Sequence, residues 1–128
     1  MKLKTFVMLA VVVAVLVAAL APVALAAAPK VTLKGPSSGN VTLNKWFTVN
    51  GTVKGGGGQN ATFVTIQKKV DNAWTKVAQV KTKWLNGQGI FHARLKATNP
   101  TMSLLRYRAV YASGGVNGYS KTLILAVQ

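Results

Sequence analysis

Cysteine and glutamate are absent from this 128-residue chain, and aspartate occurs once, as Asp71. Without cysteine there is no disulfide, no thiolate metal site, no Cys nucleophile and no lipid-bearing Cys. The fold must be held by packing alone. The missing acids exclude more. Paired-carboxylate hydrolysis needs two acidic side chains, and only one exists. A Ser-His-Asp arrangement would have to combine Asp71 with His92, the one histidine. Asp71 stands in an Asp-Asn turn signal, where its side chain caps local backbone. His92 falls at a polar-facing strand position beside Arg94. One His and one Asp do not fill a metal site. The expectation is a non-enzyme with no catalytic residue, no metal and no cofactor.

What is present in excess is positive charge. Sixteen Lys and Arg give a formal net charge of +15. A surface of one sign repels itself, so a polyanionic partner is the natural inference. Teichoic-type polymers, acidic polysaccharide, anionic lipid headgroups and nucleic acid all qualify. Two rival explanations need no ligand. High charge keeps an exported protein soluble. Acid unfolding works mainly by protonating carboxylates paired in the native state, so a chain nearly free of them suits an acidic habitat.

The N-terminus reads as an export signal. Lys2 and Lys4 precede a Val, Ala and Leu run from Phe6 to Leu20, followed by Pro22 and Ala24-Leu25-Ala26. This is the n-region, h-region and A-x-A layout of a secretory signal peptide over residues 1–26, cleaved after Ala26. The alternative is an uncleaved signal helix anchoring the chain, since Phe6–Ala28 is nearly long enough to span a bilayer. Either way the lysines hold the N-terminus inside and the remainder is secreted or associated with the cell envelope. Residues 27–128 then form one domain carrying +13 of the +15.

That domain reads as all-β. No helical period is convincing, and short alternating runs are separated by Gly, Asn, Pro and Ser. Val31-Thr32-Leu33 and Val41-Thr42-Leu43 flank Gly35–Asn40 and look like a broken first strand. Phe47, Val49, Gly51 and Val53 alternate with polar residues. The tract Gly55–Gly58 predicts a loop; it lacks the Lys-Ser/Thr ending and following helix of a phosphate loop. Strands follow at Phe63–Val70, Trp74–Thr82, around Phe91, Ala93 and Leu95, at Leu104–Tyr111 and at Tyr119–Val127, with turns at Asp71-Asn72, Asn86–Gly89 and Ser113–Gly115. Trp46 or Trp74 is expected to pin the core. About seven antiparallel strands over roughly 100 residues match a single immunoglobulin-like sandwich.

Certain segments make the likeness more specific. Phe47-Thr48-Val49-Asn50-Gly51-Thr52-Val53, Val64–Lys69 with Trp74–Ala78, and Gly89-Ile90-Phe91 with Tyr107-Arg108-Ala109 and Ser120–Leu123 resemble secreted prokaryotic immunoglobulin-like (fibronectin type III-like) domains. The resemblance spans about residues 30–127 and implies the sandwich fold. Its motifs are core and turn positions, and the family shares no catalytic residues.

The candidate ligand-binding residues are cations and one aromatic. Arg94 and Lys96 share the polar face of one strand, Arg106 and Arg108 that of another. Arginine's planar fork matches phosphate and carboxylate. If the two strands lie on one surface they form a four-cation patch; in an immunoglobulin-like topology they can also belong to opposite sheets. Lys68, Lys69 and Lys76 widen the field. In Lys81-Thr82-Lys83-Trp84-Leu85 an aromatic sits between cations, fit to stack on a sugar or base, to enter a lipid interface, or to fold over the core edge. Asn40, Asn50 and Asn60 head N-glycosylation sequons. The function expected is that of a cationic binding module for an anionic cell-envelope polymer or surface. The alternatives are a secreted bacteriocin-like antagonist and a structural subunit of a surface assembly. Nucleic acid ranks below these because no nucleic-acid motif accompanies the charge.

Overall fold

The computed structural model describes residues 28–55, 62–113 and 116–128. The expected export segment, most of the glycine tract and the Asn60 sequon lie outside the described residues. Among the described residues there are ten strands: β1 (Lys30–Val31), β2 (Asn40–Val41), β3 (Trp46–Lys54), β4 (Phe63–Val70), β5 (Ala73–Lys81), β6 (Lys83–Leu85), β7 (Gln88–Lys96), β8 (Leu104–Ser113), β9 (Val116–Tyr119) and β10 (Leu123–Val127). They form two sheets. Sheet A has the order β1-β3-β7-β6; sheet B has the order β2-β10-β8-β4-β5, with β9 also on β8. This is the two-sheet arrangement of an immunoglobulin-like sandwich.

Three short pieces account for the excess over seven strands. The broken first strand is divided between the sheets: β1 pairs antiparallel with β3, whereas β2 pairs parallel with β10. A second crossing occurs at Thr82, between β5 in sheet B and β6 in sheet A. Its N–H and Oγ1 both donate to the Thr62 carbonyl, at 2.7 and 2.9 Å, so both donors of this buried residue are satisfied at the crossing. The last strand is interrupted at Ser120. There the ladder to β8 continues through a side chain: Ala109 N–H donates to Ser120 Oγ at 2.8 Å, and Ser120 N–H to the Ala109 carbonyl at 2.9 Å.

Turn chemistry sets the hairpins. Asp71 and Asn72 both adopt positive φ, 49° and 65°, and join β4 to β5 with Val70 opposite Ala73. Asn86 and Gly87, at 54° and 75°, do the same between β6 and β7. Positive φ at both central residues is the two-residue turn whose twist matches the strands it joins, and Asp, Asn and Gly tolerate it. The one acidic side chain therefore stands exposed in a turn. Gln88 and Gly89, expected in the second turn, belong to β7.

The core lies between the inner faces. Sheet A contributes Phe47, Val49, Val53, Phe91, Ala93 and Leu95; sheet B contributes Val64, Ile66, Leu105, Tyr107, Ala109, Tyr111 and Leu125. Phe47 meets Tyr107 edge-on at 6.2 Å, and Trp84 meets Tyr111 likewise at 6.3 Å. Neither Trp46 nor Trp74 pins this core. Trp46 is 57% exposed, and Trp74 faces outward on β5. The tryptophan that packs against the core is Trp84.

Gly51, in the middle of β3, is required by close approach. A Cβ there would lie 2.0 Å from the Thr32 carbonyl oxygen and 2.4 Å from Phe91 Cζ. The chain just after β1 passes so near β3 that only a glycine fits. Thr32 and Thr52 then bond side chain to side chain at 2.7 Å, and Thr52 N–H donates to Thr32 Oγ1 at 3.0 Å.

Candidate functional site: a cation and aromatic cleft between the sheets

Strand parity decides where each candidate cation points. Arg94 and Lys96 lie on the outer face of sheet A, because Ala93 and Leu95 fill the core. Arg106 and Arg108 lie on the outer face of sheet B, because Leu105, Tyr107 and Ala109 point inward. The sandwich separates the two pairs, and no four-cation patch forms. Lys81 ends β5 in sheet B and Lys83 begins β6 in sheet A, on either side of the crossing at Thr82.

Trp84 takes the core-edge alternative. It is half-buried, its Nε1 donates to Thr62 Oγ1 at 3.3 Å, and its ring lies over Gly89, where a Cβ would meet it at 3.2 Å. Those contacts occupy the surfaces a stacked ligand would need.

Arg108 is also committed within the fold. Its guanidinium carbon lies 4.4 Å from the Trp74 ring centroid and 4.7 Å from that of Tyr119. Its Nε donates to Gln67 Oε1 at 2.6 Å. Lys69 approaches the same Trp74 ring at 5.9 Å. This cation and aromatic stack ties β4, β5, β8 and β9 together across the outer face of sheet B. Arg106, opposite Ile124, remains exposed on the same face.

The outer face of sheet A is more open. Along β3 it carries Trp46, Thr48, Asn50, Thr52 and Lys54; in register on β7 stand Lys96, Arg94, His92, Ile90 and Gln88. A groove of about 370 Å³ lies among Thr32, Lys34, Asn50, Lys54 and His92. At the other end, beyond Ile90, β6 no longer covers β7, and residues of both sheets line a cleft of about 310 Å³. Sheet A lines the cleft with Trp46, Arg94 and Lys96, and the adjoining chain adds Thr98; sheet B lines it with Lys68, Val77 and Tyr107. Arg94 Cζ and Lys96 Nζ each lie 5.1 Å from the Trp46 ring centroid. Lys68 is opposite Tyr107 in register, on the inner side of β4, and reaches the cleft where the core ends. Burial pushes the Tyr107 hydroxyl up to about 12, so it keeps its proton and is a hydrogen-bond donor at ordinary pH. Val77 is the extra residue of a bulge, set between Ala78 opposite Ile66 and Lys76 opposite Gln67.

Two of the expected site residues, Arg94 and Lys96, are thus brought together, and Trp46 and Lys68 join them. The signal for Trp46 lay in the alternation of β3: if Phe47 and Val49 point inward, Trp46 points out. Among the described residues, no three His, Cys, Asp or Glu side chains gather where a metal ion could sit. No helix among them is long and apolar enough to cross a membrane.

Fold and site together define an immunoglobulin-like β-sandwich of cationic composition. No protein-family model matches the chain, and no curated protein matches it. Among solved structures it is similar to the CARDB domain of a Pyrococcus furiosus protein, determined in complex with di-metal ions. The TM-score is 0.51 with 19% identity, covering 77% of this chain and 91% of that one. At this identity the likeness concerns the fold alone.

Proposed function

We propose that this protein is an exported, non-enzymatic binding module that associates with anionic cell-envelope polymers or surfaces. The observation that carries the reading is the acid-free outer face of sheet A. There Lys30, Lys34, Lys54, Lys83, Arg94 and Lys96 accompany Thr, Asn and His side chains, and the chain's one acidic residue sits in the β4–β5 turn of the other sheet. Binding is multivalent charge attraction, strong at low salt and screened as salt rises, because the screening length falls from about 30 Å at 0.01 M to about 3 Å at 1 M.

The test is retention on an anionic polysaccharide matrix across a salt gradient. The wild type is expected to elute late. A variant with Lys34, Lys54, Arg94 and Lys96, all on the outer face of sheet A, replaced by Gln is expected to elute at clearly lower salt. Elution of both at the same salt rejects the assignment. Assembly into a filament through free strand edges is the less favoured reading. The β5 edge carries the bulge at Val77 and the lysines Lys76 and Lys81, devices that discourage edge pairing.

A further inference from the structure

The cleft between the sheets has a more particular composition than the cationic surface around it. Every polar group named in its lining is able to donate: the Lys68 and Lys96 ammonium groups, the Arg94 guanidinium, and the Thr98 and Tyr107 hydroxyls. No carboxylate or side-chain amide is among them. A neutral sugar presents many hydroxyl donors and is gripped by acceptors of that kind; here the donors call for a ligand rich in acceptors. One wall is the Trp46 ring, which stays 57% exposed although Arg94 and Lys96 each lie 5.1 Å from its centroid, and the part they leave open suits a flat or weakly polar ring surface. At about 310 Å³ the cleft is at the small end of ligand sites.

We propose that this cleft is a subsite for one anionic sugar unit, whose ring packs on Trp46 while its oxyanion is held by Lys68, Arg94 and Lys96. The inference rests on the anionic-polymer reading above and identifies where on the molecule a polymer is read rather than merely attracted. One feature favours a polymer of sugars over a nucleotide: beside Trp46 on the outer face of sheet A, Thr48, Asn50 and Thr52 follow one another at alternate positions of β3, a row of polar groups suited to the hydroxyls of neighbouring units. The oxyanion is a carboxylate or a sulfate ester; both present the same acceptors to the three cations.

Trp46→Ala tests the site without changing charge, and at an exposed position that threatens no core packing. Titration calorimetry at low salt would use two probes, a short oligogalacturonate and a short sulfated oligosaccharide, with a single-stranded oligonucleotide of equal charge beside them. Trp46→Ala is expected to weaken whichever saccharide binds by about tenfold or more, the scale of one lost aromatic stack. Lys68→Gln is expected to weaken it more than Lys76→Gln, which removes the same charge from the outer face of sheet B. The saccharide that responds identifies the oxyanion. Saccharide binding that ignores Trp46→Ala overturns the subsite, while salt-dependent retention on the matrix would leave the broader reading intact. An oligonucleotide that depends on Trp46 more than either saccharide also overturns it. Loss of matrix retention altogether would reject the broader reading itself.

Discussion

Lys30 and Lys54 are direct register partners on β1 and β3. The pairing beside them is well formed: Thr32 N–H donates to the Thr52 carbonyl at 2.9 Å, and Lys34 and Asn50 exchange both backbone bonds, at 2.7 and 2.9 Å. The two lysine side chains therefore leave the same face of the sheet from directly opposed positions, both exposed. Like charges directly opposite destabilise a sheet, and opposite charges stabilise it, by roughly 0.2–1 kcal/mol each. Lys54→Glu exchanges the first situation for the second, so the expected gain is about 0.5–2 kcal/mol. For a domain of this size that is a rise in Tm of roughly 2–16 °C. Lys54→Gln, which only removes the repulsion, should give about half. Thermal melts followed by circular dichroism at about 0.01 M and 1 M salt would measure it. The gain should shrink toward zero at the higher salt, where the screening length is about 3 Å. The same variant should leave an anionic matrix at lower salt, because Lys54 lines the groove on that face. A lower Tm at low salt, or a gain that persists at 1 M, would refute the reasoning. The expected pairing of higher stability with weaker binding separates a charge kept for a partner from a charge kept for solubility.

Other consequences are as direct. Gly51→Ala places a methyl group 2.0 Å from the Thr32 carbonyl oxygen, so β1 must shift; a loss of about 1–3 kcal/mol or more is expected in chemical denaturation, and an unchanged midpoint would contradict the close approach. Tyr107 is held protonated up to about pH 12 in the folded protein against an ordinary value of 10. Its contribution is complete below pH 10 and is lost as pH rises toward 12. Tyr107→Phe should therefore show a shallower fall in stability over that window than the wild type; lysine deprotonation affects both proteins and cancels in the comparison. Parallel slopes would argue against burial as the cause. On the acid side, with Asp71 the single acidic side chain, stability should change little from neutral to mildly acid pH, and a steep loss measured by urea titration there would count against the reading.

Much of the sandwich was legible because its signals are local. The alternation of Phe47, Val49, Gly51 and Val53 and the Phe63–Val70 run yield β3 and β4 closely, since strand parity needs only neighbours in sequence. Asp71-Asn72 was legible as a turn for the same reason. The strand breaks were harder. That β1 and β2 belong to different sheets, and that Ser120 interrupts the final strand, depend on partners far along the chain. The tryptophans were misassigned because size alone pointed to the core. Trp46 lies on the polar side of its own alternation, and the bulge at Val77 shifts the parity of β5.

By itself the sequence determined the chemistry open to this protein. Two acidic side chains cannot be drawn from a chain that has one, and no fold supplies a thiolate where cysteine is missing. It also determined the sign of the surface, because nearly every charged side chain is a cation. Only the tertiary structure decided which cations act together. Arg94 and Arg108 occupy equivalent-looking polar positions in sequence, yet one borders an open cleft and the other is stacked between Trp74 and Tyr119. The physical reason is that parity tells which way a side chain points from its own sheet. Which sheet, and what stands beside it, is decided by long-range pairing.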